Sequence, residues 1–373
     1  MINEQLAEIS NLALVVTIVL YVLALIGFGA DLASSSQRRS DARLAAQEHQ
    51  GEGRTLQTAT VAADGGGAVA GGGAAIAVDG GGAPPADAPG HGPGTGTSGA
   101  VAPARPASGG MSAQRFAFLL TAAATVLHVV GVLTRALATQ RVPWANMYEF
   151  ATTSSAAVML AFLVFSIKRV ELRALGSFVV GPVLLVLLLA QTFWIVPAAN
   201  LTPSLQNSHW IYIHIGVAII ATSLSILGAV VAGMQLLQAR HERALAELTS
   251  AGQEHPEHWG RFGHVLDRLP TSTVLEALSF RIHSVAFVCW TFTLIFGAIW
   301  AREAWGRFWG WDPKEVWTFI IWVIYASYLH ARATGGFRGN RAAGLALAGF
   351  VAVVFNYTIV NTVINGLHSY SGL

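Results

Sequence analysis

Eight apolar runs constrain this chain more than any other feature. They fall at about residues 11–30, 115–137, 150–167, 174–195, 209–237, 281–301, 316–331 and 342–365. A bilayer core is about 30 Å thick, and a run of about 20 apolar residues crosses it as a helix. Lipid offers backbone N–H and C=O groups no partners, so helices are the form such runs can take. With 53% of its 373 residues hydrophobic and 11% charged, the chain is expected to be an all-α polytopic membrane protein. It should have about eight transmembrane helices and a Trp-rich external interfacial segment.

Charge sets the expected direction of the spans. The first run is preceded by Glu4 and Glu8 and followed by Arg38, Arg39 and Arg43. It is too long, and its leader too acidic, for a cleavable signal peptide. Residues 1–30 therefore read as an anchor with its N-terminus outside. Residues 31–112 are rich in Gly, Ala and Pro and bury too little apolar surface to fold, so they read as a disordered cytoplasmic linker. Residues 113–373 form the remaining domain. This threading leaves only Arg135, Arg141, Arg302, Arg307 and Lys314 outside, out of 22 cations, as the positive-inside rule prefers. It describes a multi-pass protein of the plasma membrane with both termini outside. The single cysteine, Cys289, excludes an internal disulfide or a C-x-x-C redox pair.

Four tryptophans crowd the outer segment Trp305–Trp317. Trp305 and Trp309 are four apart, so a short interfacial helix would put them on one face, with Gly310 as its end. Asp312-Pro313-Lys314-Glu315 reads as a capped helix start, which sets Trp317 one turn inside the next span. Trp305, Trp309, Trp311 and Trp317 then suggest an aromatic shelf for a flat apolar ligand, with Asp312 at its edge.

Histidines supply the chemistry such a ligand needs. His209, His214 and His368 fall at the outer boundary, and a neutral imidazole ligates haem iron well. His214 and His368, from separate segments flanking the shelf, are the candidate iron ligands there. Ionisable groups within spans are costly and read as functional. Of these, His330 is the candidate inner ligand. His283 is expected to snorkel to the inner interface, and His128 to bond a neighbouring helix. His241, His255, His258 and His264 fall on a predicted inner loop, 238–280, and read as solvated. No acid–base catalytic residue stands out. Arg141, Arg302, Arg307 and Lys314 are candidate partners for haem propionates.

The Trp305–Trp317 run resembles the tryptophan-rich WWD signature of haem-handling proteins. Gly297–Ala301, Tyr328-Leu329-His330, Gly366–Tyr370, and Leu205-Gln206 with Trp210 and His214 narrow this to a resemblance to the CcsA/ResC family of cytochrome c biogenesis proteins. Pro143, Asn146, Tyr148 and Glu149 echo a loop motif of that family. The resemblance covers about residues 115–373 and implies a membrane subunit of a System II cytochrome c synthase. With a ResB-like second membrane subunit carrying a large ectodomain, it would present haem b at the outer face. There haem is attached to the C-x-x-C-H thiols of apocytochrome c, which thiol-reducing membrane or extracytoplasmic proteins keep reduced. No nucleic acid is implied. The resemblance makes His214 and His368 the outer axial ligands and His330 the transmembrane ligand, with the second transmembrane ligand from the partner subunit. His209 departs from the pattern, and so does the long inner loop. Two other classes stay open at this point: a bis-histidine b-type membrane cytochrome, and a haem exporter with no attachment step.

Overall fold

A computed structural model describes residues 2–31, 112–167, 169–199, 208–252 and 266–368. Almost the whole predicted linker lies outside the described residues, as do Leu205, Gln206, His255, His258, His264, Ser369 and Tyr370. The described regular structure is helical throughout. The helices are α1 Glu4–Asp31, α2 Ala113–Thr139, α3 Met147–Ile167, α4 Gly176–Phe193, α5 Trp210–Ser250, α6 Ser272–Trp305, α7 Pro313–Ala333, α8 Asn340–Tyr357 and the short α9 Ile359–Thr362. A 3-10 turn, Val170–Leu175, leads into α4.

Among the described residues, seven helical stretches are long and apolar enough to cross a membrane: α1 to α6, and α8 with α9. The eighth predicted span, α7, is a 21-residue helix that falls short on hydropathy. Its bulk comes largely from Trp and Tyr, whose polar tips offset their rings, and charged residues sit at both its ends. Large apolar side chains such as Val126, Phe193 and Val351 are about two-thirds exposed, as suits surfaces that meet lipid.

Helix ends follow local chemistry. Ser112 caps α2 by accepting the Arg115 N–H at 3.3 Å. α6 stops at Trp305 because Gly306 takes φ 75°, the left-handed conformation that ends helices. The expected interfacial helix over Trp305 and Trp309 is thus absent. Gly306, rather than Gly310, terminates the helix, and Trp309 lies on irregular chain. The start of α7 is as the sequence reads: Asp312 accepts the Lys314 N–H at 3.2 Å, and Glu315 reaches back to the Asp312 N–H at 3.0 Å.

The predicted inner loop is shorter than expected, since α5 runs on to Ser250 and α6 begins at Ser272. Glu242 ties the two, accepting from the Ser272 N–H at 2.9 Å. His241, expected to be solvated, is 4% exposed and bonds Asp267 at 2.9 Å. Helical continuation past residue 237 turns it inward.

Consecutive helices alternate in direction. α1 lies antiparallel on α2: the Asn3 N–H meets the Ala138 carbonyl at 2.9 Å, Ser10 Oγ meets the Gly131 carbonyl at 2.6 Å, and Tyr21 Oη meets Thr125 Oγ1 at 3.1 Å. The largest core joins Tyr21, Phe162, Val180, Leu227, Leu275 and Ile282. A second core joins Ala221, Trp290, Ile321, Tyr325 and Val353. It locks α5 to α8 together directly beneath the Trp-rich end.

Candidate functional site

At that end, the starts of α3, α5 and α7 and the ends of α6 and α8 surround one cavity of about 1210 Å³ of free space, its open mouth included. Indoles form much of the wall: Trp144, Trp290, Trp300 and Trp309. His214 and His368 also face the cavity, although 153 positions separate them in sequence.

Each imidazole is held by its Nδ1. His214 is the fifth residue of α5, and its Nδ1 lies 3.0 Å from the Thr293 carbonyl on α6. A carbonyl only accepts, so Nδ1 carries the proton and Nε2 keeps its lone pair. One turn further along α6, Gly297 lets the ring lie close: a Cβ there would come within 2.8 Å of His214 Cε1. The ring runs parallel to the Trp300 indole, centroids 6.0 Å apart and planes 9° apart.

His368 is held by Asp312. Its Nδ1 lies 2.8 Å from Oδ2, while Oδ1 accepts the Leu367 N–H at 2.6 Å. Burial raises the Asp312 carboxyl, but the bonds from His368, the Leu367 N–H and the Lys314 N–H outweigh this and hold it below its ordinary value. A carboxylate on Nδ1 again leaves Nε2 its lone pair, the arrangement common behind metal-bound histidines. The His368 ring meets Trp305 edge-on at 4.9 Å and Trp300 at 5.6 Å. Both imidazoles therefore contact one indole, Trp300. Among the described residues no three His, Cys, Asp or Glu side chains gather as a metal-ion site. Two separate imidazoles suit an iron whose other ligands come from a macrocycle.

The aromatic surface differs from the expected shelf. Trp309 lines the cavity, and Trp305 backs His368. Trp311 is 73% exposed on a φ of 59° and turns away from the cavity. Trp317 packs at a tilt against Phe355, ring centroids 4.2 Å apart, beside the second core. With α6 ended at Gly306, Trp305 and Trp309 do not share a helical face. The wall's other indoles are Trp144, which precedes α3, and Trp290 and Trp300 on α6. The signal for the α6 pair was present: Trp290, Thr293, Gly297 and Trp300 repeat at 3-4-3 spacing, one face of a helix.

The other histidines lie apart from the cavity. His209 is exposed at the start of α5 and is absent from the wall. His330 is exposed near the far end of α7, 16 residues past Lys314 and so roughly 24 Å along the axis. His283, expected to snorkel, is fully buried between Tyr325 at 5.3 Å and Tyr328 at 5.5 Å; its position on the inward face of α6 overrides its polarity. His128 is buried with Tyr21 Oη at 3.4 Å from its Nδ1.

The four candidate cations separate clearly. Arg141 bonds Glu149 at 2.7 and 3.0 Å and the Ala199 carbonyl at 2.8 Å. Arg302 lies over the Phe308 ring at 4.9 Å. Arg307 presses on Gly310, which leaves no room there for a Cβ. Only Lys314, of these four, lines the cavity.

Comparison with known proteins identifies the family. Residues 118–368 match the family described as "Cytochrome C assembly protein". A cytochrome c biogenesis protein CcsA of Parasynechococcus marenigrum is 38% identical over 179 residues, covering 46% of this chain and 58% of the relative. One from Prochlorococcus marinus is 32% identical over 268 residues, covering 68% and 83%. A third, from Chlamydomonas reinhardtii, is 33% identical over 234 residues, covering 61% and 60%. The alignment thus spans under two thirds of the first and third relatives and most of the second.

Proposed function

Since the chain belongs to the cytochrome c assembly family and works in cytochrome c biogenesis, we propose that it is the membrane subunit that holds haem b for covalent attachment to apocytochrome c. The observation that carries this reading is the pair of Nδ1-tethered imidazoles, His214 and His368, lining one indole-walled cavity and both in ring contact with Trp300. Haem is the cargo. Its iron is gripped by the two Nε2 atoms, and its faces lie against Trp309, Trp300 and their neighbours. The vinyl-bearing edge stays open to the thiols of a C-x-x-C-H segment. Each thiol adds across a vinyl double bond: a sulfur–carbon bond forms, and the thiol proton ends on the other vinyl carbon. The chain's contribution is positioning, which alone lowers a two-body barrier substantially.

In this proposal the cavity opens at the outer face of the plasma membrane and both termini lie outside. Residues 1–30 anchor the chain, 31–112 tether it, and 113–373 form the haem-handling domain. His330 binds haem near the inner side together with a ligand from a ResB-like partner subunit, which suits its exposed position. Thiol-reducing proteins keep the apocytochrome competent. The b-type cytochrome and exporter readings are not favoured: cytochrome c biogenesis is an assembly function, and the two best-placed imidazoles sit at one end of the bundle.

Co-expression with the ResB-like partner and an apocytochrome bearing C-x-x-C-H tests the proposal. Covalent haem on the apocytochrome, absent when this chain is omitted, is the expected result. Equal product without the chain contradicts it.

A further inference from the structure

We propose that Lys314 binds a carboxylate of the cargo and so sets which edge of it faces the thiols. This deepens the haem reading and rests on it.

Lys314 is the second residue of α7 and lines the cavity. Its Nζ donates to the Asn356 carbonyl at 2.7 Å and to Asn361 Oδ1 at 2.5 Å. Both acceptors are neutral, and an ammonium has three N–H donors, so one donor is left for something else. The neighbouring carboxylates are already engaged. Asp312 receives His368 and the Leu367 N–H. Glu315, which also lines the cavity, turns Oε2 to the Gly310 and Asp312 N–H groups at 2.8 and 3.0 Å. Among the described residues no carboxylate forms an ion pair with Lys314, whereas Arg141 has Glu149.

A second observation points the same way. Trp144 Nε1, Trp300 Nε1 and Tyr357 Oη are buried without hydrogen-bond partners among the described residues, and all three residues line this cavity. Glu315 Oε1 and Asn356 Oδ1 are unpartnered too, and both residues line the cavity. A cavity with three spare donors and a lysine whose Nζ is held only by neutral acceptors suits an acceptor-rich ligand. A haem carries its two carboxylates on one edge. Drawing that edge to Lys314 leaves the vinyl-bearing side free.

The test compares haem with its dimethyl ester, in which both carboxylates are blocked, by absorbance titration of the purified full chain in detergent. A bond to a charged group is commonly worth about tenfold or more in affinity. Wild type should therefore bind the ester about tenfold more weakly than haem. Lys314→Met should bind haem that much more weakly and leave ester affinity unchanged, while Lys314→Arg keeps the preference. Equal wild-type affinity for the two ligands, or equal weakening of both by Lys314→Met, overturns the assignment; the wild-type comparison needs no variant to fold. Failure of the wild type to bind either ligand instead overturns the cargo reading itself.

Discussion

Asp312 performs two tasks with one carboxylate: it caps α7 and orients His368. Removing it should therefore cost more than a cap. Partners behind metal-bound histidines typically contribute about 10–100-fold in affinity, so Asp312→Ala should lower haem affinity by that order in an absorbance titration; an unchanged affinity contradicts the orienting role. Its depressed pKa fixes the pH dependence. The stabilisation is complete above the ordinary carboxylate pKa of about 3.9 and fades as pH falls through the lower folded value. The melting-temperature gap between wild type and Asp312→Ala should hold from neutral to mildly acid pH and shrink only below that. Gly297 makes a matching case for His214. Gly297→Ala should displace the ring and cut haem binding, whereas Gly344→Ala, with open space around it, should bind haem like wild type.

Helices carry these side chains into place. α6 supplies Trp290, Thr293, Gly297 and Trp300 from one face, so one element presents two indoles, the acceptor for His214 and the gap for its ring. That face was legible in the sequence as a 3-4-3 repeat, and the start of α7 as a capping sequence. The end of α6 was not. Gly306 and Gly310 both offer a stop, and which one takes the left-handed conformation depends on how Arg307 and Phe308 settle. Deeper down, α5 and α6 meet at Gly228, where an added Cβ would lie 2.5 Å from His283 Cε1. Overpacking of this kind costs about 1–3 kcal/mol. Gly228→Ala should lower the melting temperature in detergent, and an unchanged melt contradicts the tight seam. His283 itself was misread because α6 begins at Ser272 rather than near residue 281, which sets the ring about three turns inside the helix on its inward face.

Over the whole molecule, the spans were legible because lipid imposes a long apolar run on each helix. Two histidines with 153 residues between them were each suspect on local grounds, but their meeting at one indole depends on the α5 to α8 packing, which no local pattern encodes. The proposed threading makes its own prediction. In a Cys289→Ser background, a membrane-impermeant thiol reagent should label Trp311→Cys on intact cells, and Gly336→Cys only after permeabilisation. The reverse pattern would place the cavity on the cytoplasmic side and contradict presentation to an external apocytochrome.

The most direct measurement is the absorption spectrum of the purified chain carrying His214→Gly or His368→Gly. Each single variant is expected to lose the spectrum of iron held by two imidazoles and to regain it when free imidazole is added. Spectra unchanged from wild type in both variants would contradict ligation by this pair.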